Sequence, residues 1–315
     1  MSSGNKMQKF ESIKKLAING NVDAQYHLGL MYMEGQGIDK SYTKAFEWFY
    51  RAARNGDIQA QRNLAAMYAD GLGTEKNYSL AIEWLKNAAT NGDAEAQYKL
   101  ASIYFTGRGV DKNEYKAREW LEMAAELNHP EAQFNLARMY EKGVGICKDE
   151  YQAVAWFKQA AQQGHVNSQC ELGLRYANGN GVVRRYIPAY KWFLKAAEQN
   201  HPEAQFNLGL LCKDGKGVEK DFHQAYKWFS KAAKQGYPEA QFNLGMFYKK
   251  GIGVEKDLHQ AYKWFLKAAE QNHPEAQFNL ARMYENGIGT EKNRPEAHKW
   301  FFKANQQGFP PRKKP

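Results

Sequence analysis

Tryptophan occurs eight times in this 315-residue chain, at positions 48, 84, 120, 156, 192, 228, 264 and 300, and each interval is 36 residues. A strict period of this size marks an array of one supersecondary unit rather than a succession of unrelated globular domains. The same step relates Ala24-Gln25 to its equivalents as far as Ala276-Gln277, and Leu28 to its equivalents as far as Leu280. Ala189–Leu208 is identical to Ala261–Leu280, two units later, which is the mark of internal duplication.

Within a unit, Ala24, Leu28, Gly29 and Tyr32 form one helical stripe, and Ala45, Trp48, Phe49, Ala52 and Ala53 form a second. A G-x-G turn separates them (Gly35 and Gly37 through Gly287 and Gly289) and can supply the positive φ that ends the first helix. Ser41, Asn77, Asn113, Asp149, Asp221, Asp257 and Asn293 stand where a cap for the second helix belongs, and Arg185 breaks the rule. Gly56, Gly92, Asn128, Gly164, Asn200, Gly236, Asn272 and Gly308 then stop that helix. The pattern predicts an all-α fold, a right-handed superhelical α-solenoid of eight 36-residue helical hairpins, with 17 helices and no globular domain boundary. The tryptophans fall on the stripe assigned to the core, and the repeated glutamines are read as inter-helix hydrogen bonders.

The pattern A-Q-x-x-L-[GA]-x-x-Y-x-x-G-x-G, followed by a capped turn and A-x-x-W-[FL]-x-x-A-A-x-x-[GN], resembles the Sel1-like repeat, a longer relative of the tetratricopeptide repeat. The resemblance covers about residues 21–308. It divides the chain into units 21–56, 57–92, 93–128, 129–164, 165–200, 201–236, 237–272 and 273–308. Residues 1–20 are expected to form a capping helix, with Phe10, Ile13, Leu16, Ala17 and Gly20 matching the second helix of a unit. Residues 309–315 are expected to be a flexible basic tail. The resemblance implies a protein-binding scaffold, in a family that works in protein assembly, regulation and bacterium–host contact.

Enzymatic chemistry needs convergent groups, and the sequence offers none in a complete motif. H-E-x-x-H, G-x-S-x-G and G-x-x-x-x-G-K-[ST] are absent. Ser3–Lys6, Ser12–Lys15 and Ser41–Lys44 fit S-x-x-K, without the companion K-T-G and S-D-N elements. A secreted, cysteine-rich branch of the Sel1-like family is described as β-lactamase-like. Here Cys147, Cys170 and Cys212 follow no repeat spacing, so hydrolysis is the disfavoured alternative. His129, His165, His201 and His273 share one turn position. Equivalent atoms of stacked hairpins lie about 10 Å apart, too far to share an ion bound at about 2 Å, so packing is preferred to metal ligation. No catalytic residue, cofactor or metal is assigned.

Function is sought where the units differ. In related hairpins the first helices line the concave face, which here exposes the series containing residues 23, 26, 30, 33 and 34. The 26 series is rich in aromatic residues, and the 30 series contributes arginines. Tyr98, Phe134, Arg138, Phe206, Phe242, Phe278 and Arg282 are the candidate partner-binding residues, since aromatic and arginine side chains dominate protein interfaces. For the 26 series, packing against the neighbouring hairpin is an equal alternative.

Charge supplies a second candidate. Residues 1–150 carry 19 basic and 20 acidic side chains, while 151–315 carry 25 and 14. Arg184, Arg185, Lys191, Lys227, Lys263 and Lys299 mark a basic surface on the later repeats, suited to an acidic partner and, less favoured, to nucleic acid. The expected partners are proteins or peptide segments, with no small-molecule substrate, and the chain is expected to be monomeric. The mean hydropathy of −0.75 and the lack of a long apolar run argue against a transmembrane segment. The absence of a signal peptide argues for the cytoplasm, with translocation into a host cell as the sharper alternative.

Overall fold

The structure, a computed structural model, describes residues 3–309. Among the described residues are seventeen α-helices and no strand. Helix α1 (Ser3–Ile18) precedes eight hairpins. The first helices are α2 (Val22–Glu34), α4 (Ile58–Asp70), α6 (Ala94–Thr106), α8 (Pro130–Lys142), α10 (Val166–Asn178), α12 (Pro202–Asp214), α14 (Pro238–Lys250) and α16 (Pro274–Asn286). The second helices are α3 (Tyr42–Arg54), α5 (Tyr78–Thr90), α7 (Glu114–Glu126), α9 (Glu150–Gln162), α11 (Tyr186–Glu198), α13 (Phe222–Lys234), α15 (Leu258–Glu270) and α17 (Arg294–Gln306). The chain divides into two compact units, Met1–Ala160 and Ala161–Pro315, where the sequence shows no break in its pattern.

The helix limits follow from local chemistry. Seven second helices start at a side-chain cap, as where Asn77 Oδ1 accepts from the Leu80 N–H at 3.0 Å. In α11 the N-cap is Arg185, which makes no side-chain cap bond. The position whose N–H the cap would satisfy is Pro188, which has no N–H to satisfy. The loss of the cap and the arrival of proline therefore compensate each other. Ser41 Oγ accepts from the Lys44 N–H at 3.4 Å, so one of the S-x-x-K matches is a helix cap.

Four of the first helices are capped by histidine. His129, His165, His201 and His273 accept through Nδ1 from the backbone N–H three residues on, at 3.2 to 3.3 Å. The shared turn position of these residues thus has a structural use.

The core differs from the sequence expectation in one respect. Seven tryptophans are half-buried, and only Trp300 is buried. The residue after tryptophan points into the hairpin instead: Phe49, Phe157, Phe193, Phe229 and Phe265 are fully buried, with Leu85 and Leu121 nearly so. Adjacent helical positions differ by about 100°, so only one of the pair can face the hairpin axis. Each tryptophan flanks that stripe and several pack on the hairpin before, as Trp84 does on the Ala45–Phe49 cluster and Trp228 on the Ala189–Phe193 cluster.

Close approach within the hairpin needs a small residue on the first helix. A Cβ on Gly209 would lie 2.7 Å from the Phe229 ring; alanine takes this place where the facing residue is Leu85 or Leu121, and also at Ala137, which shares a buried cluster with Phe157. Between hairpins, a Cβ on Gly253 would lie 2.3 Å from the Phe222 carbonyl oxygen, so the second glycine of that G-x-G turn permits backbone contact with the preceding unit.

The repeated glutamines bridge hairpins. Gln61 Nε2 donates to the Ala53 carbonyl at 3.2 Å, and Gln205 Nε2 donates to Ala197 at 3.1 Å; all eight positions make this bond. It satisfies a carbonyl in the last turn of the preceding second helix. At the N-terminal end, Phe10 and Ala17 of α1 are buried, and Phe10 packs edge-on against Tyr32 at 5.9 Å. Leu16 is exposed. At the other end Phe309 packs on Phe278 at 5.4 Å and is part of the last junction rather than of a free tail. The rest of the predicted tail lies outside the described residues.

Candidate protein-interaction surface

In the first unit, Tyr98, Phe134 and Arg138 come together. They line a cleft of about 350 Å³ between α6 and α8, with Ser102, Phe105, Asn135, Lys142 and Val144. Helical spacing explains the grouping, because positions 98, 102 and 105 lie on one face of α6, and 134, 138 and 142 on one face of α8. The Asn135 amide donates to the Tyr98 hydroxyl at 3.3 Å across the cleft. Arg138 pairs with Glu141 at 2.8 Å. Phe105 is 43% exposed at the cleft, an apolar ring held open to solvent.

The aromatic 26 series itself is half-buried at the junctions between hairpins. Tyr98 stacks on His129, and Phe242 on His273, both at 4.8 Å between ring centres. Phe206 packs on Phe229 and Tyr237 at 5.8 and 5.3 Å, and Phe278 on Phe301 and Phe309. Phe134 meets Phe157 at 5.6 Å. Where the series has Arg62, a salt bridge to Asp93 at 3.1 Å replaces the ring contact. Phe206, Phe242 and Phe278 therefore lean toward the packing alternative: each presents only part of its ring to a partner. Arg282, at the same repeat position as Arg138, is exposed.

In the second unit, Arg185, Tyr186, Ile187, Pro188, Lys191, Trp192 and Lys195 line a cleft of about 500 Å³. The neighbouring Val183 and Ile187 are 78% and 60% exposed, so repeat five combines apolar and basic surface. Arg184 lies over Tyr186, with its guanidinium carbon 5.9 Å from the ring centre. Lys191, Lys227, Lys263 and Lys299 are exposed at one position of four successive second helices, and Lys299 is paired with Glu296 at 3.1 Å. The lysines four residues on cover tryptophan faces: Lys195, Lys231, Lys267 and Lys303 lie 4.2 to 4.6 Å from the ring centres of Trp192, Trp228, Trp264 and Trp300. The lysines one turn beyond the predicted basic positions are thus engaged within their own helices, whereas Lys191, Lys227 and Lys263 stay exposed.

The sequence reading placed the 33 series among the exposed ones but singled out no residue from it. Phe105 and Lys249 both belong to it. Its signal was available, since that position changes from Met33 and Ala69 to Phe105, Glu141, Lys213 and Lys249 with no scaffold constraint. Among the described residues no group of three or more His, Cys, Asp or Glu side chains is arranged to hold a metal ion, and no helix is long and apolar enough to cross a membrane.

Tandem helical hairpins with a constant core and a variable first-helix surface define an α-solenoid of the repeat-scaffold class. The chain belongs to the Sel1-repeat family: the Sel1 repeat model matches residues 22–57, 58–93, 94–129, 130–165, 166–201, 202–237, 238–273 and 274–309. It is similar to a protective antigen present in uropathogenic Escherichia coli strains, with 35% identity and a TM-score of 0.90 over 95% of this chain. The chain spans 64% of that protein's length. It is also similar to a Sel1 repeat protein from Oxalobacter formigenes, with 31% identity and a TM-score of 0.73 over 95% of this chain and 87% of the other. No curated protein sequence matches it. Sel1-repeat proteins are generally protein-interaction scaffolds.

Proposed function

We propose that this protein is a non-catalytic adaptor that holds a partner segment against its first-helix surface, with an anchoring side chain seated between α6 and α8. The observation that carries this reading is the cleft of about 350 Å³ bounded by Tyr98, Phe105, Phe134 and Arg138. It combines an exposed ring, two partly buried rings and a guanidinium, the composition of an interface anchor site. The likeness to an antigen of uropathogenic bacteria supports a setting at bacterium–host contact.

A photo-crosslinking amino acid at Ser102, on the cleft, and another at Tyr115, which is 69% exposed on α7, test the site. The partner is expected to crosslink through position 102 and not through 115. Filling the cleft with Ser102→Trp should then weaken binding of the crosslinked partner by about tenfold or more, with melting unchanged. Crosslinking through 115 alone, or turnover of nitrocefin that a single point substitution abolishes, would sink the proposal.

A further inference from the structure

Lysine at the 33 position occurs twice, in different surroundings. Lys213 is followed by Asp214, whose carboxylate lies 3.7 Å from Lys213 and 3.3 Å from Lys216. Lys249, one repeat later, is followed by Lys250, and α16 presents Arg282 where the three preceding repeats have Leu174, Leu210 and Met246. Lys249 is half-buried, and its ammonium donates to Asn279 Oδ1 at 2.9 Å. Asn279 is itself fixed, because its Nδ2 donates to the Glu275 carbonyl at 2.8 Å. Arg282 follows Asn279 by one turn of α16, is exposed, and its charge acts on the Lys249 amine.

Lys249, Lys250 and Arg282 make no ion pair among the described residues, although Arg138 at the position of Arg282 is paired with Glu141. Glu285 occupies the place of Glu141 and does not pair with Arg282. Burial, and then the charges of Arg282 and Lys250, push the Lys249 ammonium pKa below its ordinary value. A half-buried cation held by a neutral amide, with its ammonium 5.9 Å from the Phe265 ring centre and with no carboxylate bound, is placed to receive an anion. The separate lysines of the second helices are exposed, and exposed charges are worth much less per contact.

We infer that the first-helix surface of repeats seven and eight binds an acidic segment of a partner protein, a carboxylate of which is received by Lys249 and Arg282 while Asn279 holds the lysine in place. The inference rests on the adaptor reading only in taking the partner to be a protein, and the site is separate from the α6–α8 cleft.

The test uses the full chain and three labelled probes: a hexaglutamate peptide, a hexaglutamine peptide and a hexathymidylate, followed by fluorescence anisotropy at low ionic strength. Hexaglutamate is expected to bind in preference to both others. Lys249→Met and Arg282→Met should each weaken it by about tenfold, whereas the Lys227→Met/Lys263→Met pair should leave it within about twofold. Melting should be unchanged or raised in the Lys249→Met variant, because one of three mutually repelling cations is gone; Lys249→Gln gives a second variant of the same kind. Hexaglutamate should also slow acetylation of Lys249, read by mass spectrometry. Ser102→Trp should leave hexaglutamate binding unaltered, which separates this site from the cleft. Equal weakening by the second-helix pair, tighter binding of hexathymidylate, absence of hexaglutamate binding, or an unprotected Lys249 overturns the inference.

Discussion

Replacing Asn91 by Gln is expected to stabilise the α4–α5 hairpin of repeat two by about 1 kcal/mol. Gln61 is buried, and its Oε1 has no hydrogen-bond partner. The amide placed to serve it belongs to Asn91, which is one methylene shorter than glutamine and donates to the Asn87 carbonyl at 2.9 Å instead. In later repeats glutamine at this position reaches across. Gln199, Gln235 and Gln271 donate to Gln169, Gln205 and Gln241 at 2.8 Å, and Gln307 donates to Gln277 at 2.9 Å. An unpaired buried acceptor costs about 1–3 kcal/mol, and a hydrogen bond returns about 0.5–1.5 kcal/mol net. The opposing costs are small, because the Asn91–Asn87 bond is exposed and water replaces it, while ordering the longer side chain removes a few tenths of a kcal/mol.

Repeat arrays unfold piecewise, so the gain is best read by segment-resolved amide exchange over α4 to α6. A gain of 1 kcal/mol slows exchange there roughly fivefold. Gln61→Met removes the acceptor, and in that background Asn91→Gln should gain nothing. The converse change, Gln235→Asn, should loosen the α12–α13 hairpin by a similar amount. An equal gain with and without Gln61 would refute the reasoning.

Two further outcomes follow from the same geometry. Gly209→Ala places a Cβ against the buried Phe229 ring and should cost about 1 kcal/mol after the helix-propensity gain. Phe229→Leu should recover much of it, as a favourable coupling in a double-mutant cycle by urea denaturation; additive effects would contradict the close-approach account. The second concerns pH. Burial holds the His201 and His273 pKa values below their ordinary value, against the weaker opposing effect of Glu203 and, for His273, of Glu275 and Glu239. The unfolded chain therefore binds more protons between the ordinary histidine pKa of about 6.5 and the lower folded value. The caps' stability is present above that window and is lost as pH falls through it, when Nδ1 gains a proton and can no longer accept from Ala204 or Ala276. The protection of those two amides, after correction for the intrinsic pH dependence of exchange, should fall on acidification, and His201→Asn should abolish the effect at Ala204.

The scaffold was legible in the sequence because it is written eight times. Helix limits, the G-x-G stops and the glutamine bridges each recur at one position, and a physical role shared by eight copies leaves a period behind. Tryptophan misled on burial because it shares a stripe with Phe49 and Ala45, and pattern alone cannot say which of two adjacent large residues faces the axis. The site was only partly legible. Tyr98, Phe134 and Arg138 were found from their series, but Phe206, Phe242 and Phe278 belong to the same series and spend most of their surface on inter-hairpin packing. One series does both jobs, since a ring at that position touches the next hairpin's cap on one side and solvent on the other. Asn279 sits at a position that is asparagine in five repeats and Lys249 at one that is lysine in two, but neither series tells that the two meet, because their proximity comes from side chains of adjacent first helices that the sequence separates by 30 residues.

Internal duplication offers a way to weigh the two cationic surfaces. The stretch Ala189–Leu208 recurs unchanged as Ala261–Leu280, and it carries Lys191 and Lys195 into Lys263 and Lys267. Those lysines arrive with the copied helix, so their regular array needs no partner to account for it. The identity ends at the next residue, where Gly209 becomes Ala281 and then Leu210 becomes Arg282. Arg282 comes with a second copied stretch, because Asn272–Glu285 repeats Asn128–Glu141 unchanged. What differs is the preceding repeat, which presents Lys249 where Phe105 stands before Arg138. A cation placed beside a half-buried cation is unfavourable for the isolated chain, and that new pairing is what an anion brought by a partner would offset.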